Sequence, residues 1–241
     1  MWRKQALSLF ILLIISTTSF LKAQTMQNEH ITSKQECFIL ISSFTANGDT
    51  DKLKHAIIKA LEAGLSINEI KETMIQLYAY TGFPRSLNAL GTLKNILDER
   101  EKQGIKDVVG KEASPIPTNF NKDEYGARVR ANFLGQKEIP SPSGYQLFAP
   151  TIDTFLKEHL FADIFVRDIL NHQTRELITI SALASMIGTE SQLQAHLGIC
   201  LNVGWCKEQL EAFTVVLEKE VGIKETQSAR NVLTLMLKNR K

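Results

Sequence analysis

The sequence predicts an all-helical (all-α) protein built from two copies of one helical unit packed together, and three observations carry that reading. First, a single gapless shift of the chain superposes Gly48 on Gly188, Gly64 on Gly204 and Gly82 on Gly222, each where a helix should stop. The same shift superposes Glu36 on Glu176, Leu53 on Leu193, Leu61 on Leu201 and Leu77 on Leu217. Second, Ser66-Ile67-Asn68-Glu69 and Thr189-Glu190-Ser191-Gln192 both have the Ser/Thr-x-x-Glu/Gln form of a capping box. Third, aromatic residues make up 7% of the chain, and Gly and Pro cluster between long apolar stretches, which favours helices over a strand-rich sandwich.

Taken in order, residues 1–23 read as a secretory signal peptide. Trp2-Arg3-Lys4 gives a positive start, Ala6 to Ile15 is apolar apart from Ser8, and a softer stretch runs from Ser16 to Ala23. A spanning helix needs about 20 uninterrupted apolar residues, and Ser16-Thr17-Thr18-Ser19 interrupts the run. The expectation is an exported protein, periplasmic or secreted, with no stable membrane anchor after cleavage.

Residues 30–102 form the first repeat. Glu36 to Ala46 is an apolar helix closed near Gly48, and Asp49 or Asp51 can cap the next, which ends at Gly64. The Ser66 box opens a helix to about Tyr80, and Pro84 sits early in a further helix reaching about Glu101. Residues 103–144, with Pro115, Pro117, Pro140 and Pro142 and many charges, read as a linker. Residues 145–241 form the second repeat. Its opening stretch, Tyr145 to Leu170, places Phe148, Ile152, Phe155, Leu156, Leu160, Phe161 and Phe165 at helical intervals, as a core-facing stripe would. Thr174 to Ile187 is the next helix, ended by Gly188, and the Thr189 box opens one that runs to Val203. One hairpin cannot bury its own apolar faces, so the copies should pack on each other or across subunits.

Composition narrows the function. The formal charge of +2 comes from 28 basic and 26 acidic residues without a long block of either sign, so nucleic acid is not an expected partner. The three cysteines, Cys37, Cys200 and Cys206, form no CxxC and read as buried apolar thiols. No HExxH, Gly-rich phosphate loop or nucleophile elbow is present, and neither a metal nor a cofactor is expected.

Two stretches carry a family resemblance. LEAGLSINEIKETMIQLYAYTGFPRSLNAL, from Leu61 to Leu90, resembles a signature of the carboxymuconolactone decarboxylase family: an Ala/Leu-rich helix, a Gly, a Glu-bearing helix and a Tyr-x-Gly-x-Pro turn. RELITISALASMIGTESQLQAHLGICLNVGW, from Arg175 to Trp205, is similar to the family's other half-motif. The resemblance implies an alkyl hydroperoxidase D-like helical fold that assembles into trimers or hexamers. It implies one of two chemistries, decarboxylation of an acidic lactone or peroxide reduction by a CxxC dithiol served by a Glu and a His. By position the relay Glu falls on Glu176 and the relay His on His196, while the dithiol positions fall on Thr189 and Gln192, which cannot attack a peroxide. In the first copy the matching residues are Glu36 and Ala56, so the His is absent there.

Spacing alone allows the pair to meet. Glu176 lies twelve residues before Gly188 and His196 eight after it, so on antiparallel helices their levels differ by roughly one turn. A His beside a carboxylate can move protons near neutral pH, and Arg175 or Arg85 could bind substrate and steady an enolate-like intermediate. Three readings follow: a lyase or isomerase acting on an organic acid or lactone, a thiol peroxidase using Cys200 one turn after His196, and a non-enzymatic binding or assembly module.

Overall fold

The computed structural model describes residues 30–240, and every regular element among them is helical. The expected signal segment, residues 1–23, lies outside the described residues. No helix among the described residues is long and apolar enough to cross a membrane.

Helix α1, Ser33–Asn47, starts at a capping box: Thr32 Oγ1 accepts from the Gln35 backbone, and Gln35 Oε1 accepts from the Thr32 backbone. It ends at Gly48, whose φ of 83° is open to glycine at no steric cost. Helix α2, Thr50–Glu62, is capped by Asp49, which accepts from Lys52 N. Helix α3, Ile67–Lys102, starts at the Ser66–Glu69 box and breaks at Gly82, with φ 75° and ψ 163°, before resuming through Pro84. Across the break Ser86 Oγ donates to the Met74 carbonyl at 2.7 Å.

Then come α4 (Lys122–Phe133), α5 (Tyr145–Phe148), α6 (Pro150–Thr154) and a wide-turn π-helical segment, Phe155–Ile164. The chain finishes with α7 (His172–Ala184), α8 (Glu190–Asn202), α9 (Lys207–Val216), a second π-helical segment (Leu217–Val221) and α10 (Ile223–Asn239). The offset that carries Gly48 onto Gly188 also separates both ends of α2 from those of α8 and the start of α3 from that of α9. Gly82 and Gly222 interrupt the two halves at the same offset.

Helices α1 and α7 pack against each other at the centre. From Cys37 to Ala46 and from Arg175 to Ala184 every residue is buried, which is why neither helix reads as strongly amphipathic. Ile39, Ile57, Ile70 and Leu77 from the first half and Leu177, Ile180, Leu197 and Phe213 from the second belong to one continuous apolar core. Each such side chain contributes about 1.5–3 kcal/mol through its removal from water.

Three expectations are corrected. The connector 103–144 contains α4, and its first part runs back along α3: Ile67 N and Asn68 N donate to the Val108 and Val109 carbonyls, and Arg100 pairs with Asp107 at 2.8 Å. Helix α4 packs on the π-helical segment to make a satellite core of Val129, Phe133, Leu160, Phe161, Ile164 and Phe165, which rests on Ile199 of α8. The two elements approach so closely that a Cβ on Gly126 would collide with the Lys157 carbonyl.

Second, Tyr145 to Leu170 is not one amphipathic helix. Ala149, held at φ −136° and ψ 71° before Pro150, separates α5 from α6. The π turns then rotate the apolar face, so Leu160, Phe161 and Phe165 are buried while Phe148, Ile152 and Phe155 are exposed, Phe148 by 91%. Third, Thr189 does not cap α8. Helix α7 stops at Ala184 rather than Ile187, and Thr189 Oγ1 donates to the Leu183 carbonyl at the outgoing end.

Candidate functional site

Glu176 and His196 face each other across the α7–α8 hairpin. His196 Nδ1 lies 2.7 Å from Glu176 Oε2, a short charge-assisted hydrogen bond in which the imidazole donates to the carboxylate. The glutamate side chain has no exposed surface, whereas the histidine keeps 14%. Because Nδ1 is committed to the carboxylate, Nε2 is the nitrogen left to exchange a proton.

The site extends beyond the pair that spacing identifies. Tyr80, from the end of the first half of α3, lies edge-on to His196 with ring centroids 5.9 Å apart. Its hydroxyl and Glu176 Oε1 are both buried without a hydrogen-bond partner among the described residues. Burial pushes the Tyr80 phenol well above its ordinary range, and the nearby Glu176 charge adds to the effect. The neighbouring Thr179 hydroxyl, already engaged with the Arg175 carbonyl and Gln76, offsets this only in part, so the phenol stays a protonated donor. Two orphaned buried polar atoms beside one imidazole are unusual, since most such atoms find partners. Glu72, Gln76 and Tyr80 recur every four residues along α3, a polar stripe on one face of the helix.

That stripe clamps α7. Arg175 donates from Nη2 to Glu72 Oε1 at 2.7 Å and to the Arg167 carbonyl at 2.6 Å, and from Nη1 to Gln76 Oε1 at 2.9 Å. Gln76 Nε2 in turn donates to the Arg175 carbonyl and to Thr179 Oγ1. Arg167 Nε completes the cluster on Glu72 at 2.9 Å. Arg175 and Glu72 have fully buried side chains, so Arg175 is a structural clamp and not the substrate-binding group expected of it. Burial lowers the Arg175 pKa, with Glu72 working against that effect.

Arg85 is elsewhere. It donates to the Ala46 carbonyl and lines an open cleft of about 490 Å³ with Asn47, Ser185, Thr189 and Glu190. Neither Glu176 nor His196 lines that cleft. A third polar chain runs outside the pair: Tyr78 OH meets His159 Nε2, His159 Nδ1 meets Asp163 at 3.1 Å, and Asp163 pairs with Lys122 at 2.7 Å. It fastens the satellite core to α3.

The equivalent place in the first half is built differently. Glu36 accepts from Lys59 Nζ at 2.5 Å, a residue that stands where the second half has Ile199, and Ala56 is buried where the second half has His196. His55, one step along the helix, is exposed. The Glu36 hydrogen bond raises the Lys59 pKa, so the carboxylate there is held by a fixed cation rather than by a group able to change its charge near neutral pH.

None of the three cysteines is in a disulfide. Cys200 is fully buried, and burial together with the Glu176 charge raises its thiol well above the usual range; burial raises Cys37 as well. A thiol in such a setting is protonated and inert. No group of three or more His, Cys, Asp or Glu side chains that could hold a metal ion occurs among the described residues.

No curated protein matches the chain. Residues 17–95, which span α1, α2 and most of α3 but end before Glu176 and His196, match the model of the carboxymuconolactone decarboxylase family, and together with the all-helical fold this match supports membership of that family.

Proposed function

We propose that the chain is a small-molecule lyase or isomerase of the carboxymuconolactone decarboxylase kind, acting on an organic acid or acidic lactone. His196 serves as the acid/base through Nε2, and Glu176 holds Nδ1 and steadies the imidazolium. The observation that carries this reading is the 2.7 Å contact between a fully buried carboxylate and a histidine that retains exposure. A proton leaving an activated carbon passes to Nε2, and the buried Glu176 charge offsets the positive charge that results. Tyr80, held protonated, offers a hydrogen bond to an enolate-like oxygen.

The alkyl hydroperoxidase alternative needs a thiolate. Without a CxxC, and with Cys200 raised and sealed, that chemistry has no nucleophile at the site. A non-enzymatic module is favoured by one feature, the fixed Glu36–Lys59 pair in the first half. That pair removes one site of two and leaves the other complete.

Replacing His196 with Ala should abolish turnover across a panel of acidic lactones followed by ultraviolet absorbance, with the helical circular dichroism unchanged. Equal turnover by the variant sinks the proposal. The reading also has the two halves as copies of one unit, a trimeric or hexameric assembly, and export after removal of residues 1–23. The recurrence of helix ends at one constant offset supports the first. Light scattering and N-terminal sequencing of the mature protein test the other two.

A further inference from the structure

We infer that the cleft at the start of α7 binds the carboxylate of a small organic acid, with Arg167 as its anchor. This deepens the function proposed above and rests on it only for the cleft's relation to His196. The cleft encloses about 620 Å³ and is lined among others by Tyr125, Phe165, Arg167, Asn171, His172 and Val203.

Arg167 is suited to the task. Its hydrogen bonds to Glu72 use Nε alone, at 3.1 and 2.9 Å, and both terminal nitrogens are uncommitted among the described residues. Its side chain is 33% exposed, while Glu72 behind it is sealed. A guanidinium pinned at one edge and open at the other presents the planar fork that takes a carboxylate two-point.

The charges around the cleft favour an anion. Glu72 is shared by two guanidiniums, Arg167 and the fully buried Arg175, whose Nε has no partner and whose guanidinium lies 5.3 Å from the Phe165 ring in the cleft wall. The carboxylate on the rim, Asp168, is already taken by Ser114 and Lys111, which hold its pKa down at about 2. Desolvation and Arg175 lower the His172 pKa, so this residue adds no charge of its own near neutral pH.

Position links the cleft to the pair. His172 precedes Glu176 by four residues on one face of α7, and Val203, the residue that closes the end of α8, follows His196 by seven. These spacings correspond to about 6 and 10 Å along the helices. The cleft thus opens about one helical turn from the level of Glu176, and neither Glu176 nor His196 is among its lining residues.

The test is calorimetric titration of the full chain with succinate, with neutral succinamide as control. Saturable succinate binding is expected, at least about tenfold weaker in Arg167→Gln, as the loss of a charged hydrogen-bond pair implies. Should Arg167→Gln lose its helical signal, Arg167→Lys carries the test, since it keeps the charge beside Glu72 and loses the fork. No succinate binding by the wild type, binding of succinamide equal to that of succinate, or wild-type affinity in the Arg167 variant that folds overturns the inference. Succinate binding without any His196-dependent turnover leaves this inference standing and sinks the proposed function instead.

Discussion

Substituting Glu72→Gln tests the clamp that holds α7 in place. The glutamate and Arg175 both have 0% exposed side chains, and their contact is 2.7 Å. Glutamine keeps the size and one hydrogen bond, so the change isolates the charge. Arg175 is then left buried with no counter-charge, because its other partners, Gln76 and the Arg167 carbonyl, are neutral. Breaking a buried pair by removing one member costs about 3–5 kcal/mol. For a chain of this size that corresponds to a fall in Tm of roughly 6–20 °C. Guanidinium unfolding followed by circular dichroism gives the free energy directly. The companion variant, Glu72→Leu with Arg175→Met, removes both charges and should recover most of the loss, because apolar replacement of a whole buried pair is close to neutral. A cost below about 1 kcal/mol for Glu72→Gln, or a double variant as damaged as the sum of its singles, would refute the reasoning.

Three further outcomes follow from single contacts. Tyr80→Phe removes a buried hydroxyl that makes no well-formed hydrogen bond among the described residues, so stability should hold or rise by about 1 kcal/mol; a loss of similar size in thermal melts would mean that the neighbouring Thr179 hydroxyl satisfies it in the folded protein. Gly126→Ala drives a methyl into the Lys157 carbonyl and should cost about 1–3 kcal/mol, seen first as lost amide-exchange protection in residues 122–164. For His172, burial and the Arg175 charge depress the folded pKa. The unfolded chain therefore binds more protons as pH falls below about 6.5. The stabilisation is complete above that value and is lost as pH drops through the folded pKa. Urea midpoints measured between about pH 7.5 and pH 5 should decline less steeply in His172→Gln, and parallel slopes would remove the assignment.

What the sequence made legible were features written in short spacings. Gly48, Gly64 and Gly204 sit in the left-handed region just past the ends of α1, α2 and α8, where glycine alone carries no steric cost. The Ser66 box was readable because both of its hydrogen bonds are local. The Thr189 box had the same letters and failed, since tertiary packing ended α7 a turn early and drew the hydroxyl to the Leu183 carbonyl. Helix α4 was hidden for a related reason: its residues bury against the π-helical segment, and neither element carries the period of a regular amphipathic helix. Arg175 was misassigned because sequence shows a cation but not its depth. Arg167 was overlooked because it reaches the Glu72 cluster from a different part of the chain.

The two halves share helix ends but not chemistry, and the difference comes down to which group faces the inner glutamate. At Glu176 the partner is the His196 imidazole, held through Nδ1 at 2.7 Å. At Glu36 the partner is the Lys59 ammonium, whose pKa that hydrogen bond raises further, so the charge is permanent and the pair can only hold structure. The polar stripe of α3 reinforces the difference, since Tyr80 reaches across to His196, whereas the residue at the matching place in the second half, Glu220, adds negative charge near Lys59. The family match falls on the half that holds the Glu36–Lys59 pair and ends before Glu176 and His196. An Ala56→His, Lys59→Ile exchange in the first half would therefore be the direct test of whether the helical frame alone suffices to place a working pair. A contact between Glu36 and the introduced imidazole that left activity dependent on His196 alone would show that Tyr80 and the satellite core are needed as well.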